Sequence, residues 1–271
     1  MTALDLAWRR RPVVLMYHGF TEHPRRDDPE NLFVTLTDFE RQLDHLHEHG
    51  WQPLDLDGFL ARANGRSRSK SFLVTIDDGL ESVAELAVPA LRARSVPAVV
   101  FVPAGLVGGT ADWLPQPPGE RLLDAEQLRA IAQQGVEIGA HAFEHVDMRG
   151  LDSPQLDRQS AQACEVLRDI TGSSIRAFAY PFGAHDSRAR EAVARAGCRV
   201  AFSVFEDDGR FAVSRVDVNA TDTMTSFRLK LLPGYRAWWR ALGRVSVVRR
   251  LVRRSVARRP PADNGLDRET A

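Results

Sequence analysis

Short apolar runs separated by stretches of helical period organise this chain from Pro12 to Val218. Pro12 to Tyr17, Phe72 to Ile76, Ala98 to Val102, Val136 to Ala140, Ala177 to Tyr180 and Val200 to Val204 are too short and too uniformly apolar for half-exposed helices, so they read as buried strands. Val213 to Val218 reads as one more. Between them lie helical patterns. Thr37 with Glu40 three positions on forms a capping-box signature ahead of Phe39, Leu43 and Leu46, and Gly50 stops that helix. Val83, Leu86, Ala87, Ala90 and Leu91 share one face of a second helix. Asp124 caps a third that ends near Gly135, Ser153 to Gly172 is long and amphipathic, and Ser187 to Gly197 is helical. Strands alternating with helices predict a parallel sheet or barrel of the α/β class over residues 1–222. Two segments break the alternation. Residues 22–30 are charged and carry two prolines, and 104–120 is rich in Gly and Pro and holds Trp113. Long loops of the second kind are more often functional than decorative.

Charge changes this picture at the C-terminal end only. The chain of 271 residues has a formal net charge of zero, yet residues 223–262 hold eleven Lys and Arg and no Asp or Glu. There Trp238, Trp239, Leu242, Val245, Val248 and Leu251 fall at roughly helical spacing among arginines. This predicts a basic amphipathic helical extension over 223–259 and a polar, disordered tail over 260–271. Two roles for 227–259 stay open: peripheral contact with an anionic membrane surface, and packing against the barrel with a solvated Arg face. No base-reading module is present, so nucleic acid is not an expected partner. No run reaches the roughly 18 apolar residues of a membrane span, and Met1 to Arg11 lacks a signal-peptide core. The expected location is cytoplasmic, at most peripheral at the inner membrane face. Cys164 and Cys198 read as buried free thiols.

The chemistry gathers at the C-terminal ends of the strands, where a βα barrel builds its site. Those ends carry His18, Asp77-Asp78-Gly79, His141 and Pro181-Phe182-Gly183. Adjacent carboxylates repel unless a cation or proton lies between them, although an aspartate after a strand also serves as a helix cap. His141 and His145, four apart, face one side if they lie on a helical turn and can then share an ion; they can equally be surface histidines. Two imidazoles and a carboxylate suit zinc, cobalt, nickel or iron and leave coordination positions open. In hydrolysis one carboxylate then binds the ion and the other takes a proton from water.

Taken together, these residues resemble the polysaccharide deacetylase family, which shares the NodB homology domain. Thr75-Ile76-Asp77-Asp78-Gly79 resembles its first motif, His141 and His145 match its His-Ser/Thr-x-x-His motif, and Ala179-Tyr180-Pro181-Phe182-Gly183 aligns to its third. The resemblance runs from about Pro12 to Val218. It implies a distorted (β/α)7 barrel in which Asp77 is the general base, Asp78, His141 and His145 hold one divalent metal ion (zinc first), and the Phe182 N–H is the oxyanion donor. Tyr180, Pro181 and Trp113 are expected to touch substrate. Three departures follow. Ala142 stands where a loop-bracing hydroxyl is usual, Ala179 where an Arg usually orients the base, and the late Leu-x-His motif that supplies the acid is missing. Leu15-Met16-Tyr17-His18 resembles the permuted branch that deacetylates poly-β-1,6-N-acetylglucosamine, which assigns the acid to His18. Arg215 is the candidate for the missing Arg. The implied activity is metal-dependent removal of N-acetyl or O-acetyl groups from a glycan, such as a cell-envelope polysaccharide or its lipid-linked precursor. Deformylation of a lipid-linked amino sugar and a carbohydrate-binding pseudoenzyme are the alternatives.

Overall fold

The computed structural model describes residues 12–63, 70–114 and 119–235. The expected strands form as β1 (Val13–Tyr17), β5 (Ser71–Ile76), β6 (Ala98–Val102), β7 (Glu137–Ala140), β8 (Ala177–Ala179), β9 (Val200–Phe202) and β10 (Val216–Asp217). They pair in parallel in the order β10-β1-β5-β6-β7-β8-β9. Phe202 of β9 also bridges Val213 just before β10, so the two ends of the path curl toward each other into a distorted barrel. Three short strands escaped the apolar pattern because they are only two or three residues long. β2 (Gly19–Thr21) and β3 (Phe33–Thr35) form their own small sheet, and β4 (Gln52–Pro53) extends the main one beside β5.

Helices cover the outside. α1 (Leu36–Glu48) is capped by Thr35, whose side chain accepts from the Asp38 N–H, two residues before the expected Thr37. α2 (Leu56–Ala63) follows β4. A π-helical turn (Val83–Ala87) opens into α3 (Val88–Ala93). α4 (Ala125–Gln133) starts at Asp124 with a full capping box, as the sequence indicated. The long amphipathic helix is α5 (Ser153–Asp157), a second π-helical turn (Arg158–Gln162) and α6 (Ala163–Thr171), ended by Gly172 in the left-handed conformation. α7 (Ser187–Arg195) and α8 (Met224–Leu231) complete the set.

Alternation along the strands divides the core in two. One face of the sheet packs under the outer helices. The other points into the barrel, where Val14, Leu73, Phe101, Ala179 and Phe202 meet Phe59 and Leu60 of α2. α2 therefore plugs the N-terminal end of the barrel, and its Asp57 is pinned by Arg176 at 2.8 Å and Arg199 at 3.2 Å. With that end closed by apolar side chains, the C-terminal end is where polar groups can collect.

At the far end of the chain, Thr223 caps α8 and buries Phe227 and Leu231 in the outer core. This first turn of the basic extension packs on the barrel. Trp238, Trp239 and the arginines after them lie outside the described residues. Among the described residues no helix is long and apolar enough to cross a membrane. Cys164 and Cys198 are buried free thiols, with their sulfurs 3.7 Å apart.

Candidate active site

In β5 the inward positions are Leu73 and Thr75, and the next inward residue is Asp77. Its side chain is 4% exposed, and its position below the rim of the barrel makes it a buried charge that requires a partner. Arg215 supplies one: Nη1 donates to Oδ1 and Nη2 to Oδ2, both at 2.6 Å. The guanidinium is itself fixed. Nη1 also donates to Thr75 Oγ1 at 3.2 Å, Nε donates to the Ser203 carbonyl at 3.2 Å, and the group lies over the Phe101 and Phe202 rings. The small Ala179 belongs to the same inner cluster as those rings. Burial pushes the Asp77 carboxyl up, but Arg215 and then His141 outweigh it and hold the group below the usual carboxylate range.

Asp78 takes φ +70°, so the chain leaves the strand with this side chain turned away from that of Asp77. Its Oδ1 lies 3.4 Å from His141 Nε2 and 3.2 Å from His145 Nε2. All three side chains are buried. Burial raises the Asp78 carboxyl, and the two imidazoles more than reverse that, holding it well below its ordinary value.

The His141–His145 segment is not the helical turn the spacing indicated. It is a tight non-helical turn with Ala142 at φ +62° and His145 at φ +53°. The two rings converge because of these left-handed residues, not because of a helical face. A non-glycine side chain there costs on the order of 1 kcal/mol or more. Asp78, Ala142, His145 and Phe182 all adopt positive φ, so the strain is concentrated at this mouth.

A divalent cation fits this cluster. His141 Nδ1 lies 2.8 Å from the Ala179 carbonyl, which can only accept, so Nδ1 carries a proton and Nε2, facing Asp78, is the atom that would bind an ion on giving up its own proton. Tetrahedral bonds of about 2.0–2.1 Å place ligand atoms roughly 3.3–3.4 Å apart, close to the spacings seen here. The three donor atoms lie within 4.8 Å of one another, the one such group among the described residues.

The remaining candidates surround this cluster unequally. His18 follows Met16 on the inward face of β1; its charge helps to lower both Asp77 and Asp78, and its Nδ1 is buried without a partner among the described residues. Trp113 stacks on the His145 ring at 4.1 Å, so one face of it is taken up by a histidine of this cluster. Phe182 has φ +57° and a side chain 60% exposed, edge-on to His145 at 4.8 Å. Tyr180 and Pro181 correct the expectation of substrate contacts. Tyr180 is fully buried with its hydroxyl donating to the Phe211 carbonyl at 3.1 Å, and Pro181 is buried at the start of the turn, so both shape the turn from beneath.

Two residues near the site carry no signal of the strand-end kind. Glu30, in the charged loop, is pushed up by burial first and by repulsion from Asp78 second, which places a further carboxyl at the mouth. Gln159 accepts from the Phe143 and Glu144 N–H groups at 2.9 and 3.1 Å. Its sequence signal is a polar residue on the apolar stripe that runs through Leu156, Ala163 and Leu167.

The family model for polysaccharide deacetylases matches residues 64–201, just over half of the chain. The Bacillus subtilis (strain 168) protein YxkH, assigned by name to the polysaccharide deacetylases, is 23% identical over 213 residues, which is 76% of this chain and 71% of YxkH. A poly-β-1,6-N-acetyl-D-glucosamine N-deacetylase of Staphylococcus aureus (strain MRSA252) is 24% identical over 190 residues, covering 65% of this chain and 63% of the relative. Among solved structures, the Streptococcus pyogenes deacetylase PplD, in complex with acetate, superposes with a TM-score of 0.69 at 19% identity, over 82% of this chain and 99% of PplD. IcaB from Ammonifex degensii gives 0.67 at 24% identity, over 85% and 97%. These superpositions bear out the distorted α/β barrel. With the family model matched across its central barrel, the chain belongs to the polysaccharide deacetylase family.

Proposed function

We propose that the protein hydrolyses the N-acetyl group, or an O-acetyl group, of a glycan, with a divalent metal ion held by Asp78, His141 and His145. The observation that carries this reading is one buried cluster with two kinds of carboxylate. Asp78 is turned onto two imidazoles, and Asp77, next to it, is clamped through both oxygens by Arg215. A bound cation supplies Lewis acidity, lowering the pKa of water and polarising an acyl oxygen. Zinc suits the donor set best, and cobalt, nickel and iron(II) share it.

The protein's own groups carry the proton traffic. Asp77 takes a proton from the attacking water. Each carboxylate oxygen has two lone pairs, so the two bonds from Arg215 leave one on each oxygen for that work. Arg215 aims the carboxylate and keeps it ionised. The Phe182 N–H donates to the developing oxyanion. His18 gives a proton to the leaving amine as the acyl carbon–nitrogen bond breaks, yielding acetate and a free amino sugar. The Staphylococcus aureus relative is named for poly-β-1,6-N-acetyl-D-glucosamine, and this chain spans less than two thirds of its length. We therefore propose polymeric N-acetylglucosamine as the substrate class to try first.

The test is acetate release from β-1,6- and β-1,4-linked N-acetylglucosamine oligomers, with zinc content measured alongside. Acetate formed by the wild type, abolished by chelation and restored by zinc, is the expected result. Asp78→Ala should lose both zinc and turnover. Oligomer binding without any acetate release from the zinc-loaded protein would overturn the reading.

A further inference from the structure

We propose that Gln159 is a positioning residue for the metal site: it locks the turn between His141 and His145 and thereby sets the protein's affinity for its cation. The proposal rests on the metal-site reading above and assigns the part of the missing hydroxyl at Ala142 to a residue on a neighbouring helix.

The turn has a bracing problem. Ala142 is buried in the left-handed conformation and offers no side-chain hydrogen bond. His145, also left-handed, has a buried Nδ1 with no partner among the described residues, so its ring has no hydrogen bond of the kind that fixes His141. Its direction rests on the flanking Trp113 and Phe182 rings and on the backbone of the turn that carries it. That backbone is held on one side by the 104–106 turn, where the Ala104 N–H donates to the Ala142 carbonyl at 3.1 Å and the Gly105 N–H to the Phe143 carbonyl at 2.8 Å.

The other side depends on Gln159. Its side-chain Oε1 accepts from both the Phe143 and Glu144 N–H groups, and its Nε2 donates to Glu144 Oε2 at 2.9 Å. Gln159 is 4% exposed, so water is no substitute. It lies in the π-helical turn Arg158–Gln162, an irregularity that often marks a functional position. The preceding Arg158 adds to the clamp: it donates to Glu144 Oε1 at 2.6 Å and lies over the Phe143 ring at 4.5 Å. One π-helical turn therefore grips the two residues midway between the histidines.

The full chain is compared as wild type, Gln159→Leu, Gln159→Glu and the exchange Gln159→Glu with Glu144→Gln, each titrated with zinc against a chromophoric chelator and melted without metal. Leu keeps the volume and loses every hydrogen bond. Glu keeps the acceptor but faces Glu144 as a like charge. The exchange restores the donor–acceptor pair with its polarity reversed. Zinc affinity should fall roughly 10–100-fold in Gln159→Leu, the range for partners that orient ligands from behind. It should fall in Gln159→Glu and recover toward wild type in the exchange. A merely structural glutamine would lower the melting temperature without that pattern in zinc affinity. Wild-type zinc affinity in Gln159→Leu, or no recovery in the exchange, overturns the brace while the metal site stands. Wild-type protein that binds no zinc overturns the metal-site reading and the brace with it.

Discussion

The segment matched by the family model and the strands that flank it contribute different things to one pocket. Residues 64–201 hold Asp77, Asp78, His141, His145 and Phe182. The flanks hold His18, at the end of β1, and Arg215, just before β10. These two are far apart in sequence, but the sheet order β10-β1-β5 puts His18 on the strand next to the aspartates' own and Arg215 on the one beyond it. His18 stands just past the end of β1, whereas Arg215 precedes β10, level with Val14 and Leu73, and its long side chain reaches Asp77 through the barrel interior over Phe101 and Phe202. The centre supplies the Asp-His-His cluster and Asp77, and the flanks supply a histidine and an arginine whose charges act on those aspartates. A family motif missing at one position, such as Arg at Ala179, can thus be answered from a strand the motif does not contain.

The sharpest way to break that division is to change the base alone. Asp77→Asn should keep zinc bound and lose roughly 10²–10⁴-fold in kcat, measured as acetate release, since it removes general-base catalysis but no ligand. Because Arg215 is then a buried cation without its anion, the variant should also melt earlier. Loss of zinc in Asp77→Asn would show that the two aspartates share the ion and that no free base exists.

How much of this was legible beforehand depended on what kind of contact each residue makes. Asp77, Asp78 and the histidine pair could be read because strand ends are visible in the apolar pattern. The fold could be read from the alternation of strands and helices. The conformation of the histidine turn could not, because a spacing of four fits a helix as well as the left-handed turn that Ala142 and His145 form. Tyr180 was misread for a related reason: a motif gives position along the chain, and only packing shows that its hydroxyl faces Phe211. Arg215 stands out in the sequence as a replacement for the missing Arg, but only the fold brings its two terminal nitrogens onto the two oxygens of Asp77. Gln159 and Glu30 act across long sequence separations with no local pattern, and Gln159 shares its buried helix face with a second polar residue, Ser160, which dilutes its signal.

Effects in the flanks should be smaller than in the centre. His18→Ala should leave zinc affinity unchanged and lower kcat by about 10²-fold, the lower end for a general acid. The loss should shrink for substrates whose leaving group needs no proton, such as aryl acetates. An equal loss on both would move His18 from the acid role to substrate placement. Arg215→Lys should cost less, about 10-fold, because the ammonium keeps the charge and loses the two-pronged hold on the carboxylate. The expected signature is a fall in kcat with KM and zinc affinity near wild type. Turnover equal to wild type would make Arg215 a core ion pair and leave the missing Arg unanswered.

The smallest effect sharpens the comparison most, because it concerns a histidine inside the matched segment. His185 is the later histidine that could have replaced the missing acid motif. The structure buries it against the Tyr180 ring at 4.6 Å, and neither ring nitrogen has a hydrogen bond among the described residues. Burial, only partly offset by Glu206 at 3.4 Å, lowers its pKa below the usual imidazole range. The folded protein therefore binds fewer protons here than the unfolded chain. The stability this neutral ring provides is present above the unfolded value of about 6.5 and is lost as pH falls through the folded one. His185→Gln should leave acetate release near wild type and flatten the decline of melting temperature between about pH 7 and 5. If instead His185→Gln cost 10²-fold in turnover while His18→Ala cost nothing, the acid would belong to the matched centre, and the flanking strand β1 would be scaffold alone.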